Sequence, residues 1–372
     1  MGVLGDRRGV LAAVVGMVAW GLAANGAWAG SREVDRQVHR PHAAVAPRAT
    51  TSPTGLTPAQ VKQAYGFSTS PTAGAGQTVA VVAPFDHPKI EADLNAFSQK
   101  FGLPACTKAN GCFKKVDHKG GKNWPSRNKL WSMEVALDVE WVHAIAPGAK
   151  ILLVEAKSDR LSDMMKAHDY ATAKARYVSN SWGLEEYAGQ SRHNDHFDRP
   201  GVSIFVASGD DGAGASYPAT APGVIAVGGT RLTGIGEASF AETGWSGSGG
   251  GCSRFETAHP AQAAFPGYEA MNCAGKRAAP DVSLVGDPRS GVSVYNSYKT
   301  DKPWMTLGGT SASTPMMAGR AATSGLVIDA GRLYSTTSAI PFRDITTGHN
   351  GLPALPGFDM VTGLGSWTGP TP

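Results

Sequence analysis

Residues 308–315 read Gly-Gly-Thr-Ser-Ala-Ser-Thr-Pro, and the rest of the chain can be understood from this stretch. The two glycines permit a tight turn or a positive φ angle. Pro315 suits the first turn of a helix, which the small apolar run 316–322 would continue. Ser311 would then stand at a helix N-terminus, where free N–H groups favour developing negative charge. A nucleophilic serine is presented in this way, although a loop that merely caps a helix fits the stretch equally well.

The composition is that of a globular protein. The 372 residues carry a formal net charge of +4, and 42% of them are hydrophobic. This is enough apolar material for one large core or at most two domains. The only basic patch lies between Lys114 and Lys129, and we interpret it as a solvated loop. Nucleic-acid binding needs a denser basic stripe, so we expect no nucleic-acid partner.

The first 29 residues are typical of a signal peptide. Arg7-Arg8 precede the apolar run 9–24, and Ala27-Trp28-Ala29 matches a small-x-small cleavage site. That run is short for a membrane span, and no other segment of the sequence is apolar and long enough. Residues 30–54 are predicted to be a linker or a short propeptide remnant. We therefore expect a secreted, extracellular protein without a membrane partner.

Four cysteines fit an oxidising compartment. They allow three pairings, and proximity in sequence favours Cys106 with Cys112 and Cys252 with Cys273. A zinc site is the alternative for four cysteines, but the sequence has no Cys-x-x-Cys pair.

Short apolar runs alternate with helical spacings from about residue 55 onward. Helices are predicted at 57–65, 88–101, 131–146 and 161–175, and strands at 77–83, 150–156, 177–181, 202–207, 224–227 and 292–295. This alternation predicts an α/β fold with a mostly parallel sheet and helices on both faces. Residues 238–252, rich in Gly and Ser, are predicted to form surface loops. Residues 55–372 would form a single domain.

Glu134 and Asp138 are four residues apart on the predicted helix 131–146, a spacing that puts both carboxylates on one face. The helix is otherwise apolar, so we expect these acids to be partly buried and to share protons. Two exposed acids are the alternative. One acid against Ser311 and the second behind it would reproduce the nucleophile–base–orienter arrangement, with carboxylate in place of imidazole.

Two histidines are rival bases. His143 is five positions beyond Asp138, roughly 140° around a helix of 3.6 residues per turn, and cannot share its face. His87 directly follows Asp86, and adjacent side chains do not point together. We interpret both histidines as structural or surface residues.

A third acidic element, Ser208-Gly209-Asp210-Asp211-Gly212, follows the predicted strand 202–207. Open α/β sheets place ligands at the carboxyl ends of their strands. A protonated carboxyl group there could donate a hydrogen bond to an oxyanion. A simple Asp-Gly turn is the alternative.

In this order and on these elements, the motifs Glu134-x-x-x-Asp138, Ser208-Gly209-Asp210 and Gly309-Thr310-Ser311 resemble those of the sedolisins, the serine-carboxyl peptidases. The resemblance runs from about Leu56 to the C-terminus and implies a subtilisin-like three-layer αβα fold. It assigns Ser311 as nucleophile, Glu134 as general base, Asp138 as the acid that orients the base, and Asp210 as oxyanion donor. The segment Ser181-Trp182-Gly183 resembles the edge strand that pairs with the substrate backbone.

The resemblance also implies one structural Ca²⁺ near the C-terminus. Its ligands would be the carboxylates of Asp344 and Asp359 and the carbonyl oxygens of Ile345, Leu355 and Gly357. An Asp-rich surface loop is the alternative.

The function implied is that of a monomeric, secreted endopeptidase that hydrolyses peptide bonds in proteins through an acyl-enzyme on Ser311. A base carboxylate must be ionised while Asp210 is protonated, so an acidic pH optimum is expected. Sedolisins usually carry a long folded propeptide, whereas 25 residues (30–54) separate the predicted signal peptide from the predicted domain. A catalytically inactive secreted binding module is the alternative.

Overall fold

The computed structural model describes residues 40–41, 44–45, 49–335 and 340–369, so the predicted signal peptide lies outside the described residues. In chain order the strands are β1 (Arg40–Pro41), β2 (Ala44–Val45), β3 (Thr78–Pro84), β4 (Phe113–Asp117), β5 (Lys150–Ala156), β6 (Tyr177–Asn180), β7 (Trp182–Glu185), β8 (Ser203–Ala207), β9 (Ser216–Tyr217), β10 (Ile225–Thr233), β11 (Ala241–Gly244), β12 (Gly251–Thr257), β13 (Lys276–Ala279), β14 (Val282–Val285), β15 (Val292–Tyr295), β16 (Trp304–Gly308), β17 (Phe342–Arg343) and β18 (Ser366–Trp367).

The helices begin at recognisable sequence signals. Thr57 and Gln60 form a capping box, with Pro58 as the first helical residue. The Asn128 side chain accepts hydrogen bonds from two backbone N–H groups at the start of the helix that carries the paired acids. In chain order the helices are α1 (Pro58–Tyr65), α2 (Ile90–Phe101), α3 (Lys129–Ile145), α4 (Leu161–Thr172), α5 (Pro260–Ala263), α6 (Thr310–Ser324) and α7 (Ala330–Leu333), with 3₁₀ turns at Gln190–His196, Glu269–Met271 and Pro288–Ser290.

An eight-stranded sheet lies at the centre. Its order is β4–β5–β3–β6–β8–β10, and β10 then pairs with both β11 and β14. The pairing of β10 with β11 is antiparallel, and the others are parallel. Parallel neighbours need crossover connections, which several of the helices provide.

The central strand β3 shows why helices cover both faces. Val79, Val81 and Ala83 belong to a buried apolar cluster that includes residues of α1, α2, α3 and α6. Ala80 and Val82 belong to a second cluster that includes residues of α4. Successive side chains of a strand point to opposite faces, and a strand buried on both is typical of a parallel sheet. The fold is therefore the predicted three-layer αβα arrangement.

Helices α3 and α6 pack closely on one face of the sheet. Gly319 of α6 lies against α3, where an added Cβ would come 3.1 Å from the Cβ of Ile145 and 3.3 Å from the carbonyl oxygen of Val142. The missing side chain allows this approach. The contact brings the helix that carries the candidate serine next to the helix that carries the paired acids.

The predicted helices and strands are present, but the prediction for residues 238–252 is wrong. β11 forms an antiparallel edge of the central sheet, and Trp245 and residues 248–250 are buried. A Cβ on Gly249 would lie 2.2 Å from the carbonyl oxygen of Ser208, and one on Gly250 would lie 2.1 Å from that of Met360. These glycines allow the backbone to make close contacts in the interior. They do not form exposed turns.

Within residues 30–54, predicted to be a linker or a short propeptide remnant, β1 pairs with β7 and β2 pairs with β16. The two favoured disulfides, Cys106–Cys112 and Cys252–Cys273, are confirmed. They use all four cysteines, so the zinc alternative is excluded. None of the described helices is both long enough and apolar enough to cross a membrane.

Candidate active site

Ser311 lies in the first turn of α6, directly after β16. Gly308 ends the strand, and Gly309 takes a φ angle of 93°. A Cβ on Gly308 would lie 2.5 Å from the carbonyl oxygen of Gly286, so the turn requires a glycine at this position. Ser311 is fully buried. Its place at the helix N-terminus favours negative charge on its oxygen.

Pro315 lies inside α6 rather than in its first turn, because the helix begins at Thr310. The sequence prediction for this residue is wrong. Proline has no N–H to donate to the carbonyl oxygen of Ser311, four residues earlier. The hydroxyl oxygen of Ser181 lies 3.5 Å from that oxygen, but its single proton is donated to Asp138 at 2.6 Å.

Glu134 and Asp138 are both fully buried on α3, which excludes the alternative of two exposed acids. Asp138 Oδ1 accepts a 2.6 Å hydrogen bond from the Ser181 hydroxyl. No described residue donates to either oxygen of Glu134 or to Asp138 Oδ2. Buried polar atoms are normally paired, so free acceptors at this place call for a functional explanation.

Burial raises the pKa of Glu134 and the pKa of Asp138 well above their usual values. The charge of Asp138 raises the pKa of Glu134 further, and the nearby Ser311 hydroxyl lowers it. Ser311 and Glu134 are therefore neighbours, although no direct hydrogen bond joins them in this conformation. Two interacting carboxyl groups titrate as a unit. The first ionisation leaves the pair with one negative charge and one proton.

Asp210 follows β8 and faces the start of α6. Its Oδ1 accepts hydrogen bonds from the Thr310 backbone N–H (2.8 Å) and the Thr310 hydroxyl (2.9 Å). Both bonds go to one oxygen, so Oδ2 can carry a proton. Loss of contact with water raises the pKa of Asp210 to about 7. The neighbouring Asp211 is exposed, so Asp210 is the acid of this turn that approaches the serine.

The side chain of Trp182 lies in the core, so only its backbone can belong to the strand edge predicted to bind substrate. The buried indole ring donates a 3.0 Å hydrogen bond to the carbonyl oxygen of Val82 and belongs to the core. Gly183 and Trp182 pair through their backbone with Arg40 and Pro41 of β1. The edge predicted to bind substrate backbone is thus covered by the chain's own N-terminal segment.

The rival histidines make other contacts. His143 Nε2 lies 2.8 Å from the carbonyl oxygen of Pro104, and burial lowers the pKa of this histidine to about 4. His87 Nε2 lies 3.4 Å from a carboxylate oxygen of Asp93, and burial lowers the pKa of His87 to about 3. These contacts match the interpretation of both histidines as structural.

The predicted calcium ligands surround one loop near the C-terminus. The Gly357 N–H donates to Asp344 Oδ2 (2.8 Å), and the Leu355 N–H donates to Asp359 Oδ2 (2.9 Å), so both carboxylates face this loop. The carbonyl oxygens of Ile345, Leu355 and Gly357 accept no hydrogen bond from the backbone of any described residue. The two carboxylates and three carbonyls are hard oxygen donors, which suit Ca²⁺.

Two hydroxyl residues have contacts that the sequence analysis did not assign. Ser181, predicted to bind substrate, donates to Asp138, and Thr310 holds Asp210. A usable signal exists for Ser181, because it directly follows the strand β6. Residues after neighbouring parallel strands meet at the same edge of the sheet.

We expect Ser181→Ala to lower the free energy of unfolding by about 1–3 kcal/mol, because it removes the hydroxyl that donates to buried Asp138. Ser179→Ala is the matched control, since the Ser179 hydroxyl is buried without a partner among the described residues. It removes an unpaired buried hydroxyl and should therefore not lower the free energy of unfolding. Urea denaturation measures both, and equal losses would contradict the assigned contact.

Comparison with known proteins finds relatives that match most of this chain. The subtilase family model matches residues 126–326, a range that contains Glu134, Asp138, Asp210 and Ser311. Kumamolisin from Bacillus sp. (strain MN-32) is 31% identical over 388 residues, which cover 89% of this chain and 67% of that protein. Sedolisin from Pseudomonas sp. (strain 101) is 26% identical and covers 84% of this chain, which spans 60% of that relative's length.

A solved structure gives the same result. The serine-carboxyl proteinase sedolisin from Pseudomonas, complexed with two molecules of pseudo-iodotyrostatin, matches with a TM-score of 0.71 and 26% identity. The match covers 85% of this chain and 96% of that one. The chain therefore belongs to the sedolisin family of subtilases.

Proposed function

We propose that this protein is a secreted serine-carboxyl endopeptidase that hydrolyses peptide bonds in proteins and peptides. One observation carries the proposal. A buried serine at a helix N-terminus has a buried carboxyl pair beside it, and Asp210, bonded to the preceding residue, lies at the same turn. The similarity to sedolisin, whose solved structure is described as that of a serine-carboxyl proteinase, supports the same reaction class.

Glu134 acts as the general base in this proposal. It takes the proton of the Ser311 hydroxyl while Oγ attacks the carbonyl carbon of the substrate. Asp138 shares the remaining proton with Glu134 and orients it, and the Ser181 hydroxyl holds Asp138 in place. The tetrahedral intermediate expels the amine, which receives the proton from Glu134. Water then hydrolyses the acyl-enzyme by the same transfers.

Asp210 stabilises the oxyanion. Thr310 fixes its Oδ1, and a proton on Oδ2 can be donated to the substrate oxygen as negative charge develops. The backbone N–H of Ser311 supplies a second donor at the helix N-terminus. Because the pKa of Asp210 is about 7, this donor is present below neutral pH and is lost above it.

The two protonation requirements meet in acid. The carboxyl pair must have lost one proton to act as a base, while Asp210 must still hold its own. We therefore expect an optimum on the order of pH 3–6, near the pKa of the working base.

The backbone of Trp182 and Gly183 is the strand edge on which a substrate would pair after displacing β1. Export agrees with the two disulfides, which persist in oxidising compartments. We propose protein or peptide substrates and a monomeric enzyme, with neither nucleic acid nor membrane as partner.

The C-terminal loop would hold one Ca²⁺ through Asp344, Asp359 and the carbonyl oxygens of Ile345, Leu355 and Gly357. The carbonyls accept no backbone hydrogen bond from the described residues, and both carboxylates face the loop. Burial raises the pKa of Asp359, so a bound cation would favour its ionised form. The ion would supply structural stability rather than chemistry, because the catalytic steps use other residues.

Ser311→Ala should abolish cleavage of a denatured protein at pH 4, and Glu134→Gln should slow it by about 10⁴-fold or more. Glu140→Gln is the matched control, because Glu140 is an equally buried acid of α3 that accepts a hydrogen bond from the Tyr295 N–H. It should keep the wild-type rate. Cleavage by Ser311→Ala would refute the proposed nucleophile, and an inactive wild-type protein would favour the binding-module alternative.

Asp210 should control the fall of the rate above neutral pH. Asp210→Ala should cost ~10²–10³ in kcat, whereas Asp210→Asn keeps an N–H donor at every pH and should extend activity to higher pH. Asp211→Asn is the control, and since the charge of Asp211 raises the pKa of Asp210, it should shift the fall slightly downward. A pH–rate profile measures all four proteins. An unchanged profile for Asp210→Asn would rule out the oxyanion role.

Removal of Ca²⁺ with a chelator should lower Tm, and added Ca²⁺ should restore it. Binding at about 100 times Kd stabilises a folded protein by about 2.7 kcal/mol. Asp359→Asn should abolish the response, while Asp301→Asn makes the same charge change at an exposed position and should preserve it. If the Tm of the wild-type protein is unchanged by the chelator, that result would contradict the calcium site.

A further inference from the structure

The loop between β4 and α3 carries an excess of positive charge. Residues 118–129, which we call the cationic loop, include Lys119, Lys122, Arg127 and Lys129 and contain no acidic residue. All four of these side chains are exposed. The loop therefore presents a positive surface to the solvent.

This surface lies at the edge of the central sheet that holds the candidate active site. The cationic loop follows β4, Ser181 follows β6, and the carboxyl ends of parallel strands meet at one edge of a sheet. In the order β4–β5–β3–β6, three strand spacings of about 4.8 Å separate β4 from β6, a distance of about 14 Å. An extended polypeptide advances about 3.3 Å per residue, so about four residues of a substrate span this distance.

The far end of the cationic loop lies closer to the site. The backbone N–H of Asp86, which follows β3, donates a 2.9 Å hydrogen bond to the carbonyl oxygen of Ser126, and β3 is the neighbour of β6. Helix α3 then begins at Lys129. Glu134 is five residues further along, or about 7.5 Å along the helix axis at 1.5 Å per residue. The positive charges therefore extend from the outer strand of the sheet to the helix of the candidate base.

The cationic loop is held in a fixed shape. The carboxylate of Asp117 accepts hydrogen bonds from the backbone N–H groups of Lys119 (2.7 Å), Gly121 (3.0 Å) and Asn123 (2.8 Å). Lys115 Nζ lies 4.5 Å from the centre of the Trp124 ring, which fixes the loop to β4. Charges that are already in place bind a partner at a lower cost in conformational entropy.

The acidic residues next to the cationic loop have other partners. Asp86 forms ion pairs with Lys115 and Arg127. Asp117 is used by the backbone of the loop, and Asp159, which follows β5, is hydrogen-bonded to the side chain of Trp131. These carboxylates therefore leave the lysines of the loop uncompensated.

The three lysines of the loop have no carboxylate partner. The ion pairs among the described residues include none formed by Lys119, Lys122 or Lys129. Since their own chain does not neutralise them, these ammonium groups favour a negatively charged partner that approaches the same edge of the sheet.

We propose that the cationic loop selects acidic substrates, with Lys119, Lys122 and Lys129 binding aspartate or glutamate side chains of the polypeptide that Ser311 cleaves. This proposal rests on the proposed function and names the class of substrate, a polypeptide with several acidic residues within about four positions of the cut bond. Carboxyl groups of an unfolded chain ionise above about pH 4, within the expected working range of the enzyme.

Two peptides that contain one bond cut by the wild-type enzyme in a denatured protein provide the test. They carry either Glu or Gln at the third and fourth positions on both sides of that bond, and kcat and KM are measured at pH 5 and low salt. We expect KM to be about tenfold lower for the Glu peptide with kcat unchanged, because exposed ion pairs form equally in the ground state and the transition state. In about 0.5 M NaCl the two KM values should converge.

Two triple variants locate the preference. The first replaces the three lysines of the cationic loop by glutamine and should bring the ratio of the two KM values to about one. The control makes the same charge change at three exposed lysines that begin β5 or end a crossover helix, and that therefore lie at the opposite edge of the sheet, namely Lys100, Lys150 and Lys174. It should retain the preference for the Glu peptide.

The same measurements separate this proposal from the function on which it rests. If the wild type cuts both peptides with equal KM at low salt, or if the two triple variants lose the preference equally, the cationic loop does not select acidic substrates and the peptidase function stands. If the wild type cuts neither the peptides nor the denatured protein at acidic pH, the proposed function itself fails.

Discussion

The structure depends on two carboxyl groups, Glu134 and Asp138, buried one helical turn apart. The charges that raise the pKa of Glu134 are those of Asp138 and Asp210, both negative. Burial of an unpaired carboxylate is costly, and two neighbouring carboxylates are tolerated when one keeps its proton. The retained proton reduces the buried charge, and in the proposed mechanism it leaves a single carboxylate as the base. Acid therefore favours the folded site and, in that mechanism, its chemistry.

A buried acid outside the site, Glu155, also makes the stability of the folded protein depend on pH. Burial raises the pKa of Glu155 to about 8, so between about pH 4.5 and 8 the native state holds a proton that the unfolded chain has released. The free energy of unfolding consequently falls as pH rises through that range. Buried His87, His143 and His168, with pKa values of about 3–4, act in the opposite direction below pH 6.5. Above pH 6.5 the histidines no longer contribute to the pH dependence of the free energy of unfolding. Among these groups, the buried acids then determine its direction, a fall with rising pH.

The sequence correctly predicts features that depend on the local pattern of residues. It does not predict contacts between backbone segments that are distant in sequence. The period of the apolar residues correctly predicts β3, α3 and the layered fold, and the apolar helix correctly predicts a buried acid pair. The Gly-rich stretch 238–252 shows the limit, because its glycines pack against the carbonyl oxygens of Ser208 and Met360, which are remote in sequence. Ser181 shows a second limit, since its contact with Asp138 exists once β6 and α3 are packed together.

The N-terminal strands β1 and β2 pair with the domain through backbone hydrogen bonds, the same interaction by which a substrate would pair with a strand edge. A site that recognises extended backbone must keep a strand edge unpaired until the substrate arrives, and unpaired edges attract any extended chain. A segment of the same molecule has an effective concentration that reaches the millimolar range for short flexible connections, far above that of most external peptides. The Trp182–Gly183 edge is accordingly paired with Arg40 and Pro41 of the same chain. An external chain would have to displace β1 to pair with this edge, while the hydrogen bonds between Thr50 and Trp304 hold the following residues against β16.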